Sequence, residues 1–141
     1  MTRYDETVCL AVLDGPESVF VAIEETTQPV RLQTWVGRRS PAFASASGRV
    51  CLAAWPAELG RDRVRRDGFA ENHEDTAAGL YTASVPVVNE NGTVLAAVTV
   101  CVPTSRIDAA RRQSLLGELI AAGRGLSHDV AWLPAFHAKR Q

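Results

Sequence analysis

The residues best equipped for chemistry fall in a few places. Asn72, His73, Glu74 and Asp75 make the densest run of polar functional groups in the chain, and a loop held by rigid flanks is a common seat for such a run. A metal would need several of these groups plus ligands from elsewhere, and the His-x-Asp spacing of His73 and Asp75 does not make a metal site by itself. Cys101 with His73 offers a conceivable nucleophile and base, yet Cys101 ends a valine-rich stretch, where a small inert packing thiol is the default. Arg61, Arg63, Arg65 and Arg66 crowd together, but Glu58, Asp62 and Asp67 interleave them. That is the pattern of a solvated helix face rather than of a nucleic-acid contact. No nucleophile elbow, phosphate-binding loop, dinucleotide fingerprint or His-Glu-x-x-His occurs. No catalytic residue, metal or cofactor is therefore assigned.

The remaining candidate is a face, and the element that makes it organises the chain. Residues 79–103 read as two strands folded on Asn91-Gly92, because an Asn-Gly pair between alternating β-branched residues favours a tight hairpin turn. With a loop of two or four residues, Thr82 faces Cys101 or its near neighbour and Ser84 faces Thr99, and either register keeps the same parity. One side then carries Leu80, Thr82, Ser84, Thr99 and Cys101, small and partly polar, suited to open water or to a bound ligand. The other carries Tyr81, Ala83, Val85, Val87, Ala96, Val98, Val100 and Val102 and is predicted to be core.

Around this hairpin the pattern predicts strands at 7–13, 18–24 and 30–36, the last containing Leu32 and Trp35 and ended by a turn at Gly37. A helix is expected over 45–54, capped by Ser45 or Ser47, and a second over 58–67 after Pro56. Residues 68–79 read as a polar loop. After Pro103, Thr104 or Ser105 is expected to cap a long helix whose apolar stripe runs through Ile107, Leu115, Leu116, Leu119, Ile120, Leu126 and Val130. Gly117, Gly123 and Gly125 weaken that helix, so tertiary packing must hold it. Residues 133–141 read as a loose tail. The whole is an α+β domain, an antiparallel sheet flanked by helices with a long C-terminal helix.

Composition bounds the function. The 141 residues fit one domain, and 46% hydrophobic with 22% charged residues is ordinary for a globular protein. A net charge of -1, from 15 basic and 16 acidic residues, leaves no electrostatic footprint for nucleic acid or anionic lipid. Cys9, Cys51 and Cys101 are an odd number, far apart and in apolar contexts, which points to a reducing compartment. No targeting segment is seen and no apolar run approaches the ~20 residues of a membrane span. A cytoplasmic protein with no membrane partner is expected.

Several stretches together resemble a known family. Val36-Gly-Arg-Arg-Ser-Pro41, Ala44-Ser-Ala-Ser-Gly-Arg-Val-Cys-Leu-Ala53, Gly68-Phe-Ala70, Gly79, Ala83-Ser-Val-Pro-Val87 and Asn91-Gly-Thr-Val-Leu-Ala-Ala97 look like the C-terminal effector-binding domain of IclR-family transcriptional regulators. The likeness covers residues 7–131. It implies a GAF-like (profilin-like) fold enclosing a small-molecule pocket, in a regulator that is not an enzyme. It also implies that DNA is met only through a winged helix-turn-helix domain, expected to be absent from this chain, which would make it an excised sensor or a stand-alone one. The family's ligand-contacting positions fall on Leu32, Ser40, Ala46, Ser47, Asn72, Leu80, Thr82, Thr99 and Cys101. Ser45 and the small residues after it would let a carboxylate approach the helix start, and Trp35 would add an apolar wall. The expected effector is a small organic acid, aromatic in the subgroup that Pro41-Ala42 and Gly48-Arg49-Val50 look nearest to. A dimer or tetramer is implied as well. The alternative is a GAF-like binding or enzymatic domain with no DNA partner.

Overall fold

The computed structural model describes residues 5–29, 34–51, 68–73 and 79–132. Within them the chain runs β1 (Thr7–Asp14), β2 (Glu17–Glu24), β3 (Arg39–Pro41), a 3-10 turn (Ala42–Ala44), α1 (Ala46–Cys51), β4 (Ala70–His73), β5 (Leu80–Val88), β6 (Val94–Pro103), a second 3-10 turn (Thr104–Arg106) and α2 (Ala109–Asp129). The six strands form one sheet in the order β3-β2-β1-β6-β5-β4, and each pair is antiparallel. With the long helix, this is the α+β arrangement the pattern predicts.

The β5–β6 hairpin lies in the middle of the sheet with Thr82 opposite Cys101 and Ser84 opposite Thr99. Its turn closes on Asn89, whose Oδ1 accepts from the backbone N–H groups of Asn91 (2.9 Å) and Thr93 (3.0 Å), while Gly92 takes φ +80°. The valine-rich face packs Tyr81, Val85, Val98, Val100 and Val102 against Leu115, Leu116 and Leu119 of α2. Each fully buried leucine contributes about 2 kcal/mol, enough to hold a helix with three interior glycines. Gly123 has a second role. A Cβ there would lie 2.7 Å from Val85 Cγ2, so the missing side chain lets α2 approach the sheet. On the opposite face Ala11 and Ala97 pack with Ala46, Val50 and Cys51 of α1 in a smaller core, and Cys9, Leu80 and Cys101 form another cluster.

Three expectations need correction, and a fourth, the helix over 45–54, stands as far as the described residues reach. Residues 34–36 are not strand, and 30–33 lie outside the described residues; the third strand is β3, because Gly37 at φ +95° turns the chain so that residues 39–41 pair with β2. The polar stretch 68–79 contains a strand, β4, whose Asn72 and His73 pair with Thr82 and Tyr81. The edge of β5 offers the partners that local composition does not advertise. The helix expected over 45–54 is described only as α1, with 52–54 outside the described residues; Ser45 Oγ accepts from Gly48 N–H at 3.0 Å and is its cap. The long helix starts later than expected, since Thr104–Arg106 make a 3-10 turn and Asp108 caps α2 by accepting from Arg111 N–H at 2.7 Å. The helix expected over 58–67 and the tail at 133–141 lie outside the described residues.

Candidate functional site

Between α1 and the polar face of the hairpin lies a cleft. Leu80 and Thr82 come from β5, and Thr99 and Cys101 from β6. Ser45, Ala46 and Ser47 come from the start of α1, and Ser40 from β3. Of the residues singled out from the sequence, these eight line one space. Its empty volume, counted out to the open mouth, is about 370 Å³.

Of the other three candidates, the two that are described do not line the cleft. Asn72 is 2% exposed, and its Nδ2 donates to the Ala44 carbonyl at 2.8 Å, which ties β4 to the turn just ahead of α1. Trp35 does not line the cleft; it is 58% exposed, with the Arg38 guanidinium 5.5 Å from its ring centre. Leu32 lies outside the described residues.

Two lining residues escape the sequence reading, Phe20 and Arg38. Phe20 reaches the cleft because β2 carries a bulge: Leu10 pairs with Ala22 while Ala11 pairs with Phe20, so one β2 residue is skipped. The bulge turns Ser18 and Phe20 to the same face as Ile23, a parity that strict alternation forbids. Arg38 follows the Gly37 turn and is fixed through its backbone, its carbonyl accepting from Phe20 N–H at 3.1 Å and its N–H donating to the Trp35 carbonyl at 3.2 Å. No periodic signal marks such a position.

The polar groups of the cleft are mostly neutral hydroxyls. Ser18 and Ser47 share a hydrogen bond of 2.8 Å, Ser45 lies 3.5 Å from Ser47, and Ser84 and Thr99 share one of 2.6 Å. At the floor, the Cys101 thiol is pushed well up by a hydrogen bond with Cys9 and by burial, with the charge of Arg38 pulling weakly the other way. It stays protonated. Burial likewise pushes Cys51 up to about 12. His73 cannot serve Cys101 as a base, because its ring lies 4.9 Å from that of Tyr81, whose position in β5 points to the opposite face of the sheet. Among the described residues, no three His, Cys, Asp or Glu side chains gather as metal ligands, and no helix is long and apolar enough to cross a membrane. The hydroxyls and apolar walls of the cleft are groups that can contact a small polar molecule.

The chain matches the sequence profile of a family described as "Bacterial transcriptional regulator IclR C-terminal" over residues 1–61 and 58–128. It is similar to the HTH-type transcriptional regulator KdgR of Escherichia coli K12, at 27% identity over 90% of this chain and 58% of that protein. The HTH-type transcriptional regulator XynR of the same strain is 29% identical over 92% of this chain and 62% of its own length. The chain thus spans about three fifths of these relatives. The crystal structure of the C-terminal domain of E. coli KdgR is similar with a TM-score of 0.76 and 25% identity, covering 90% of this chain and 88% of that one.

Proposed function

The chain belongs to the IclR C-terminal family, a family of regulator domains and not of enzymes, and on that premise we propose that its cleft binds a small organic acid as an effector. The binding would act on DNA through a winged helix-turn-helix domain belonging to the same regulator. The observation that carries this reading is the convergence of five hydroxyl side chains, Ser40, Ser45, Ser47, Thr82 and Thr99, with the apolar walls of Phe20 and Leu80 around one cleft. Apolar walls with a few directed polar groups are the make-up of a small-molecule site. The hydroxyls can donate to carboxylate, keto or phenol oxygens, and the apolar walls accept a short chain or a single ring, so aromatic acids belong in the search.

A thermal-shift screen of hydroxybenzoates, protocatechuate, β-keto acids and short 2-oxo acids tests it. An acid present at 100 times its dissociation constant is expected to stabilise the domain by about 2.7 kcal/mol. Ser47→Val and Thr99→Val, which remove hydroxyls from the cleft, are expected to abolish the shift while the unliganded domain stays folded. A shift that survives both substitutions places the binding site elsewhere.

A further inference from the structure

We infer that Arg38 is the residue that makes the cleft select acids, by pairing its guanidinium with the carboxylate of the bound molecule. This rests on the cleft being the effector site and names the group that decides what enters it.

Arg38 is the only charged residue lining the cleft among the described residues, and its neighbours there are hydroxyls, a thiol and apolar walls. No carboxylate among the described residues pairs with it. The contrast with its neighbour is direct: Arg39 reaches away from the cleft to Asp14 (2.9 Å) and Glu17 (3.0 Å). Elsewhere Arg106 and Arg111 hold Glu6, and Arg112 holds Glu71. The cation that faces the cleft is thus left with an aromatic face instead of an anion. A cation–π contact with Trp35 at 5.5 Å attracts the charge without satisfying the guanidinium N–H donors, and a carboxylate accepts two of them side by side. The backbone of residues 35–38, bonded to Phe20, keeps the fork at the cleft margin. The hydroxyls of Ser45 and Ser47 then meet the rest of the molecule. A neutral amide of the same shape offers Arg38 one weaker acceptor and no charge, so it should bind poorly.

The test uses matched acid and amide pairs: benzoate with benzamide, 4-hydroxybenzoate with 4-hydroxybenzamide, and pyruvate with pyruvamide. Binding to the full chain is followed by thermal shift and calorimetry. The expected result is that at least one acid binds at least about tenfold more tightly than its amide, as loss of a hydrogen bond to a charged group implies. Arg38→Met, which keeps the stem and removes the fork, is expected to erase that preference, and Arg38→Lys to restore only part of it, since an ammonium is not a bidentate donor. Arg38→Gln serves as a second neutral variant should Arg38→Met fold poorly. An acid preference that persists in the neutral variants but is lost in Ser47→Val overturns the assignment and leaves the cleft reading standing. So does equal binding of acids and amides. If no acid shifts the wild-type chain, or if shifts ignore Ser47→Val and Thr99→Val, the cleft reading fails and this assignment fails with it.

Discussion

At the scale of single residues, the cleft depends on a side chain that is missing. A Cβ on Gly48 would lie 2.1 Å from the Ala42 carbonyl oxygen and 2.4 Å from Ala42 Cα, both backbone atoms that cannot rotate away. Glycine is required here for close approach of α1 to the 3-10 turn before it. Gly48→Ala is therefore expected to lower stability by about 3 kcal/mol, at the upper end of overpacking costs, and to disturb the cleft because Ser45 and Ser47 ride on the same turn. Urea unfolding measures it; a loss below about 1 kcal/mol would show that the turn relaxes freely. The residues of this site were legible in the sequence where geometry repeats. Thr82, Thr99 and Cys101 were placed on one face because the Asn-Gly turn sets hairpin parity. Phe20 was not, because a bulge breaks alternation, nor was Arg38, which lies in a turn whose direction depends on Gly37 and on the backbone of β2. Asn72 reads from the sequence as a polar loop residue and, by the resemblance, as a ligand contact, whereas its amide is committed to a backbone carbonyl, a detail no spacing encodes.

At the scale of elements, β4 joins the two layers on either side of the sheet. Arg49 of α1 donates to the Glu71 carbonyl, while the Glu71 carboxylate accepts from Arg112 Nη2 of α2 (2.7 Å) and from the Tyr81 hydroxyl of β5 (2.6 Å). This strand was hidden in the sequence because its four residues are mostly polar and its partners come from β5 rather than from a local hairpin. Burial pushes the Glu71 carboxyl up, but the hydrogen bonds from Arg112 and Tyr81 outweigh it and hold the group below its ordinary value of 4.5. A folded-state value below the unfolded one means that the carboxylate stabilises the fold fully above about pH 4.5, and that this contribution disappears as pH falls through the lower folded value. Glu71→Gln is accordingly expected to cost about 1 to 2 kcal/mol at pH 7, since Arg112 keeps partial access to water and the amide retains some of the hydrogen bonding. The gap between variant and wild type should close as pH drops below 4.5. Chemical denaturation at stepped pH values tests the sign; a gap that is constant from pH 7 to 3 would mean the carboxylate charge plays no part.

At the scale of the whole molecule, several large apolar side chains remain exposed outside the central hairpin. The valines and alanines of β5 and β6 are covered on both faces, by α2 and by α1 with the cleft. Trp132, just past α2, and Leu126 on it are exposed, and a second set of exposed apolar groups lies at the outer strands. Val36 is 62% exposed in the turn before β3, and Phe43 is 67% exposed in the turn after it. Val21, at the β2 bulge, follows Phe20, whose backbone is bonded to Gly37 and Arg38, so Val21 and the 35–36 turn lie at one end of the β2–β3 pair and Phe43 beyond the other. Large apolar side chains flanking a three-residue strand gain by being removed from water, at about 25 cal/mol per Å² buried. A second copy of the chain can cover them by an isologous contact, in which the same patch is used twice. The domain is therefore expected to self-associate at tens of micromolar, with sedimentation velocity showing a concentration-dependent dimer. Val36→Asp combined with Phe43→Asp should shift it to monomer without lowering its melting temperature in dilute solution, because neither side chain belongs to the buried clusters. A wild-type chain that stays monomeric across that range, or a double variant that still dimerises, would remove this surface as the contact.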